Sequence, residues 1–206
     1  MNIKTRQIID QIELYTSKYI DEITIDDLNN INELIINEFN INDEKEDFYI
    51  EDLDYFNNLK IITFNNKIIN EEILNYIFKS NIEELNLYNC ELVVVINNIF
   101  EKIKKLRIEY VDNFKEEYLN LFPNINELSY KGYIINNRLP KNINKLDIMN
   151  TTINNINILD NTNINEIFIS KEEYENHKDY YSKLIIKVNI YDENNCYLLN
   201  SGDKNE

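Results

Sequence analysis

Few residues in this chain could do chemistry, and each is judged by its neighbours. The one histidine, His177, sits in YENHKDYY with Tyr174 and Tyr181 close by, and no serine or cysteine is placed as a nucleophile. A catalytic histidine needs an activated partner within hydrogen-bond reach. None can be assigned, so His177 reads as a solvent-facing residue on a convex segment. Of the two cysteines, Cys90 is expected to be a buried structural thiol and Cys196 a free thiol in the tail. A disulfide between them would have to meet a Cα separation below ~7 Å across many residues, which the spacing disfavours. The stretch Asp43 to Asp54 (DEKEDFYIEDLD) holds seven acids and one lysine, which invites a calcium reading. It lacks the D-x-[DN]-x-[DN]-G pattern and has no glycine for the turn. Two glycines in the whole chain leave little for phosphate-cradling loops. No set of nucleophile, base and orienting group can be assembled. The chain is therefore read as a non-enzyme with no cofactor and no metal site.

Charge and composition narrow the partners. The 206 residues carry 21 Lys+Arg against 37 Asp+Glu, a formal net charge of -16. Phosphate backbones and anionic lipid both require basic residues, so nucleic acid and membrane are excluded as partners. Residues 1 to 56 hold 15 acids against four Lys/Arg, which concentrates the charge at one end. There are 39 asparagines, 37 isoleucines and no alanine, the imprint of an AT-rich genome, bacterial or large-viral. Such a genome also inflates lysine, so it does not account for the acidity. No apolar run follows Lys4 and Arg6 as a secretory signal requires. The longest runs, such as Leu92 to Ile96, fall far short of the ~20 residues that span a bilayer. An intracellular, cytoplasmic protein is expected, in the host cytoplasm if viral.

A phrase recurs with apolar residues at its first, fourth and sixth positions and often a closing residue at the ninth. It reads Ile82-x-x-Leu85-x-Leu87-x-x-Cys90, Ile103-x-x-Leu106-x-Ile108-x-x-Val111 and Ile125-x-x-Leu128-x-Tyr130-x-x-Tyr133. It continues as Ile143-x-x-Leu146-x-Ile148-x-x-Thr151, Ile164-x-x-Ile167-x-Ile169 and Tyr181-x-x-Leu184-x-Ile186-x-x-Asn189. Upstream, Ile31-x-x-Leu34-x-Ile36-x-x-Phe39 fits, and Leu59-x-x-Ile62-x-Phe64 fits more loosely. The phrase resembles the leucine-rich repeat, L-x-x-L-x-L-x-x-N/C-x-L every 20 to 29 residues. The lead-in Ile23-Thr-Ile25-Asp26-Asp27-Leu28-Asn-Asn-Ile31 is similar to that of internalin-like repeats. The resemblance implies an α/β right-handed solenoid with a concave parallel β-sheet, mixed helical and extended convex returns and an N-terminal helical cap.

Three segments supply this organisation: a cap at 1–22, seven or eight irregular repeats over 23–191, and a polar tail at 192–206. Ile8, Ile9, Ile12, Tyr15 and Tyr19 place a helix in the cap. Returns at Asn70–Lys79, Asp112–Phe122 and Glu172–Tyr181 read as helical, whereas those at 132–142 and 152–163 read as extended. Successive strand residues alternate faces. The middle column of the exposed face is then Ile35, Thr63, Asn86, Arg107, Ser129, Asp147, Phe168 and Ile185. The next column is Asn37, Asn65, Tyr88, Glu109, Lys131, Met149, Ser170 and Lys187. Of these, Asn86, Tyr88, Arg107, Glu109, Lys131, Asp147, Met149 and Phe168 form the expected partner-binding patch, because tyrosine, methionine, phenylalanine and arginine are enriched in interfaces and solenoids bind along this face. A monomer that binds another protein is expected. The alternatives are an acidic immunity-type neutraliser of a basic toxin or enzyme, or a viral factor binding a host protein.

Overall fold

The computed structural model describes residues 2–38, 40–41, 44–45, 47–136, 138–192 and 197–200. They divide into two compact units, Met1–Asn98 with Val111–Phe114, and Ile99–Tyr110 with Lys115–Glu206. Both are mixed α/β, with open sheets of parallel strands joined by helical and extended returns.

In the first unit, β1 (Glu33–Asn37), β2 (Ile61–Asn65) and β3 (Glu84–Tyr88) pair in parallel. Leu34 faces Ile62 and Ile62 faces Leu85, while Ile36, Phe64 and Leu87 form the next row. All six are buried. The fourth and sixth positions of the phrase thus stack column on column, and each such side chain withdrawn from water contributes about 1.5–3 kcal/mol.

The free edge of β1 is covered by α1 (Arg6–Thr16), which buries Ile8 and Ile12. Gln11 accepts a hydrogen bond from Ile35 N–H and donates one to Ile35 C=O; Gln7 does the same for Asn37. In a parallel strand both backbone groups of alternate residues point to the same side. Four helical residues advance ~6 Å and two strand residues ~6.6 Å, so glutamines at i and i+4 match that spacing. Two side-chain amides stand in for a neighbouring strand, which closes an edge otherwise open to pairing.

Ahead of α1, buried Asp52 accepts hydrogen bonds from Lys4 N–H (2.9 Å) and Thr5 N–H (2.6 Å), and Thr5 Oγ1 accepts one from Tyr49 N–H. One acid of the Asp43–Asp54 stretch is therefore structural; Asp43 and Glu46 of that stretch lie outside the described residues. After a short helix, α2 (Ile25–Asn29), the chain forms α3 (Glu71–Lys79), the helix expected at Asn70–Lys79. Asn70 caps α3 by accepting from Ile73 N–H, and Glu71 and Glu72 lie at its positive end.

In the second unit, β4 (Lys105–Glu109), β5 (Glu127–Lys131), β6 (Lys145–Asp147), β7 (Glu166–Ser170) and β8 (Lys187–Tyr191) run parallel in that order. Leu106, Leu128, Leu146, Ile167 and Val188 make one buried row across them. The last strand corrects the sequence reading by four residues. Val188 and Ile190 point inward, not Leu184 and Ile186, and Ile185 is fully exposed. The chain spends 171–181 in α4 (Lys171–Asn176) and α5 (Lys178–Tyr181) and needs the extra length to return. The corrected interval from Ile167 is 21 residues, the spacing that separates Leu85 from Leu106. Within the tail, β9 (Tyr197–Asn200) pairs antiparallel with β8. The 112–122 return is a 3-10 helix over Glu116–Leu121 rather than an α-helix, and the extended return near 152–163 contains another at Ile156–Asn161.

The turns after the strands share one conformation. At the eighth position of five successive phrases, Asn66, Asn89, Tyr110, Gly132 and Asn150 have φ between 49° and 87°. That region favours glycine and then asparagine. The turns lead to short parallel pairs, Ile68–Ile69 with Glu91–Leu92 in the first unit and Ile134–Ile135 with Thr152–Ile153 in the second. These bury Ile69, Leu92, Ile135 and Ile153 at the eleventh position. At the ninth, Cys90 Sγ donates to Phe64 C=O (3.3 Å) and Thr151 Oγ1 to Tyr130 C=O (2.6 Å), as a short polar side chain there should. Burial pushes the Cys90 thiol up. Cys196 lies outside the described residues.

Candidate binding surface

The exposed sheet face of the second unit is built in three rows, each set by the alternation of strand side chains. The row nearest the strand starts reads Lys105, Glu127, Lys145, Glu166 and Lys187, in direct register across the five parallel strands. Its ion pairs are Lys105 to Glu127 at 3.1 Å, Lys145 to Glu166 at 4.0 Å and Lys187 to Glu166 at 2.6 Å. The bond from Lys187 holds the Glu166 carboxyl below the usual range.

The middle row is Arg107, Ser129, Asp147, Phe168 and Asn189. Arg107 is exposed, Phe168 and Asp147 are half-buried, and Ser129 and Asn189 are buried. Lys145 lies over the Phe168 ring at 5.1 Å, and Tyr191 stacks beside it at 6.2 Å. A pocket of about 140 Å³ opens among Lys105, Arg107, Glu127, Lys145, Asp147 and Phe168, so cations and carboxylates line it together.

The third row closes the other end with a compact ionic cluster. Lys131 Nζ is 2.9 Å from Asp147 and 3.3 Å from Glu109, and Ser129 Oγ donates to Glu109. Burial alone would lower the pKa of the ammonium, but the two carboxylates outweigh it and the pKa rises. A half-buried lysine held by two acids is a fixed part of the face.

The sequence-derived patch divides accordingly. Arg107, Glu109, Lys131, Asp147 and Phe168 come together in the second unit. Met149 does not lie in a strand: β6 ends at Asp147, whose carboxylate accepts from Met149 N–H as the chain turns. In the first unit Tyr88 is half-buried, whereas Asn86 is 5% exposed and its Nδ2 donates to Thr63 Oγ1 and Glu84 Oε1. Lys187 belongs to the first row instead of the column after the middle one. The Lys/Glu row was missed. Its signal is the residue before each fourth-position apolar side chain, in KLRIE, ELSYK, KLD, EIFIS and KVNIY.

His177 is half-buried, which corrects its solvent-facing assignment. Its Nε2 lies 3.3 Å from Ile153 C=O and 3.6 Å from Glu173. Buried Glu173 accepts from Tyr181 O–H and takes Ile153 N–H at 3.5 Å. Burial raises both the Glu173 carboxyl and the Tyr181 hydroxyl. This cluster ties α4 and α5 to the short Thr152–Ile153 strand and helps to position the end of the sheet.

Among the described residues no helix is long and apolar enough to cross a membrane. No protein-family model matches the chain, and no curated protein sequence matches it.

Proposed function

We propose that this chain is a non-enzymatic leucine-rich-repeat protein whose sheet face binds another protein, as a monomer inside the cell. The observation that carries this reading is the second unit's face, where exposed Arg107 and the half-buried Phe168 ring border a pocket framed by fixed ion pairs. Arginine and aromatic side chains set in a rigid surround are the types that dominate binding energy at interfaces. The phrase spacing, the recurrent left-handed turn and the parallel pairing within each unit support the repeat assignment.

Its test is capture of the partner by wild type and by the Arg107→Ala/Phe168→Ala variant. Loss of capture at an unchanged melting temperature supports the reading; undiminished capture refutes it. Tyr88→Ala probes the first unit's share.

A second reading, an acidic neutraliser of a basic toxin or enzyme, is favoured by one observation in the first unit. Leu14, Tyr15, Tyr19 and Ile25 are all more than half exposed, in the same stretch as the exposed acids Asp10, Asp21, Glu22 and Asp26. Binding through those acids weakens steeply with salt.

A further inference from the structure

We infer that the cleft beside α1 in the first unit, bordered by Tyr15, Asp27, Asn32 and Glu33, takes an arginine or lysine side chain from a basic segment of a partner protein, with apolar residues of that segment over Leu14 and Ile25. The site is distinct from the second unit's sheet face. It rests on the acidic reading given second above, and it specifies where and by what chemistry a basic partner attaches.

The cleft follows from the way the chain leaves α1. Ser17, at φ 56°, ends the helix, and the Glu13 carboxylate accepts from Ile20 N–H at 3.0 Å, which folds the next turn back onto the helix end. Lys18 then reaches Asp27 at 2.8 Å, and Thr24 and Asp27 cap α2 reciprocally. Between Tyr15 of α1, Asp27 and Asn30 at α2, and Asn32 and Glu33 at the start of β1, a space of about 430 Å³ remains. That lies within the ~300–1,000 Å³ of ordinary ligand sites and holds one long side chain.

Its charge stays negative after the pairs are counted. Two acids and no cation line the cleft. Asp27 is matched by Lys18 and adds nothing to the surplus. Glu33 has no ion pair or side-chain hydrogen bond among the described residues, and Lys60, which precedes its register partner Ile61, is held by Glu83 at 2.8 Å. The other cations of residues 2–33 are Arg6, paired with Asp10 at 2.7 Å, and Lys4, over the Tyr49 ring at 5.3 Å. Glu13, Asp21, Glu22 and Asp26 have no cationic partner among the described residues.

The walls select the group that enters. Asn30 Nδ2 donates to Asp26 C=O, so the Asn30 side-chain oxygen is what it offers a ligand. The half-exposed Tyr15 ring supplies a π face, and Asn32 and half-buried Glu33 supply further oxygens. A π face beside a carboxylate and amide oxygens suits a guanidinium or an ammonium. Leu14 is 76% and Ile25 71% exposed, on the two helices that border the cleft. Such apolar surface rimmed by polar groups calls for an apolar cover, so the cation arrives on a peptide and not as a small amine.

The test uses three fluorescent peptides of about 12 residues: an Arg-Leu-Lys-Leu repeat, its Gln-Leu-Gln-Leu counterpart, and an Arg-Ser-Lys-Ser repeat. Binding to the full chain is followed by anisotropy and located by amide NMR shifts, at about 0.15 M salt, where distant acids are screened beyond ~8 Å. The first peptide should bind with shifts in α1, α2 and the start of β1. The uncharged peptide should bind at least tenfold more weakly and the serine peptide about fivefold more weakly. Glu33→Gln and Tyr15→Ala should each weaken the first peptide about fivefold at an unchanged melting temperature, whereas Glu91→Gln, the same charge change elsewhere in the first unit, should alter it less than twofold. Equal binding of the charged and uncharged peptides, equal loss in Glu33→Gln and Glu91→Gln, shifts elsewhere, or no binding at millimolar peptide overturns the inference. If binding of the cellular partner weakens steeply with salt but is untouched by Glu33→Gln and Tyr15→Ala, the acidic reading survives and this cleft falls.

Discussion

Removing Gln7 and Gln11 should cost more stability than is usual for two half-buried polar residues on a helix. Each satisfies both backbone groups of one residue of β1, so Gln7→Ala/Gln11→Ala deletes four hydrogen bonds. At about 0.5–1.5 kcal/mol net for each bond, the loss is about 2–6 kcal/mol. Alanine's better helix propensity returns a few tenths per site. The lower half of the range is expected, because water can reach part of the exposed edge. Urea unfolding should show a lower midpoint at constant slope, and sedimentation should reveal edge-to-edge association. Gln11→Glu adds a directional check. Above its pKa the glutamate cannot donate to Ile35 C=O and its charge opposes that oxygen; once protonated it can donate while still accepting from Ile35 N–H. Its folded pKa is therefore raised, so stability relative to wild type is present at low pH and lost as pH rises through that value. An unshifted midpoint in the double alanine variant, or a Gln11→Glu variant that tracks Gln11→Ala at every pH, would refute the edge-capping account.

Other perturbations separate the remaining features. Leu128→Ala, between β5's two neighbours, should cost about 2–5 kcal/mol by lost burial and a cavity, and Ile190→Ala near the end of the unit should cost less; equal shifts in urea midpoint would contradict this. Gly132→Ala places a Cβ 2.5 Å from the Tyr110 ring at φ 87°, so it should destabilise by at least about 1 kcal/mol, and Tyr110→Ser should recover part of the loss. The Lys18 and Thr24 bonds lower the Asp27 pKa to about 2. Its contribution is present above its ordinary 3.8 and lost as pH falls through about 2, so Asp27→Asn should flatten the acid limb of the stability curve between those values. Burial raises Glu173, so wild type should lose ground to Glu173→Gln as pH climbs from 4.5 towards neutrality.

The strands were legible because the fourth and sixth positions of each phrase carry one physical demand, alternation into a core. Leu85, Leu106, Leu128 and Leu146 all sit where that pattern puts them. It failed at the last strand because Leu184-x-Ile186 and Val188-x-Ile190 both satisfy alternation, and only the room taken by α4 and α5 decides between them. The 116–121 return has apolar residues at spacings that fit either helix type, so its 3-10 form was not readable. Asparagine was read as genome bias, yet Asn66, Asn89 and Asn150 occupy left-handed turns that few other side chains tolerate. At the surface, single columns of exposed types suggested Arg107 and Phe168, whereas the Lys/Glu row emerges only when strands are compared in register. Asn86 has a surface position by alternation but is covered by its neighbours, which periodicity alone does not report.

Lysine labelling with a small acylating reagent, with and without bound partner, tests the central claim most directly. Lys105, Lys145 and Lys187 are each about half exposed and should react in the free protein. The account predicts that a bound partner protects these three, while Lys115 and Lys178, off the sheet face, keep their reactivity. Protection confined to Lys4 and Lys18, with Lys105, Lys145 and Lys187 unchanged, would place binding on the acidic first unit and contradict it.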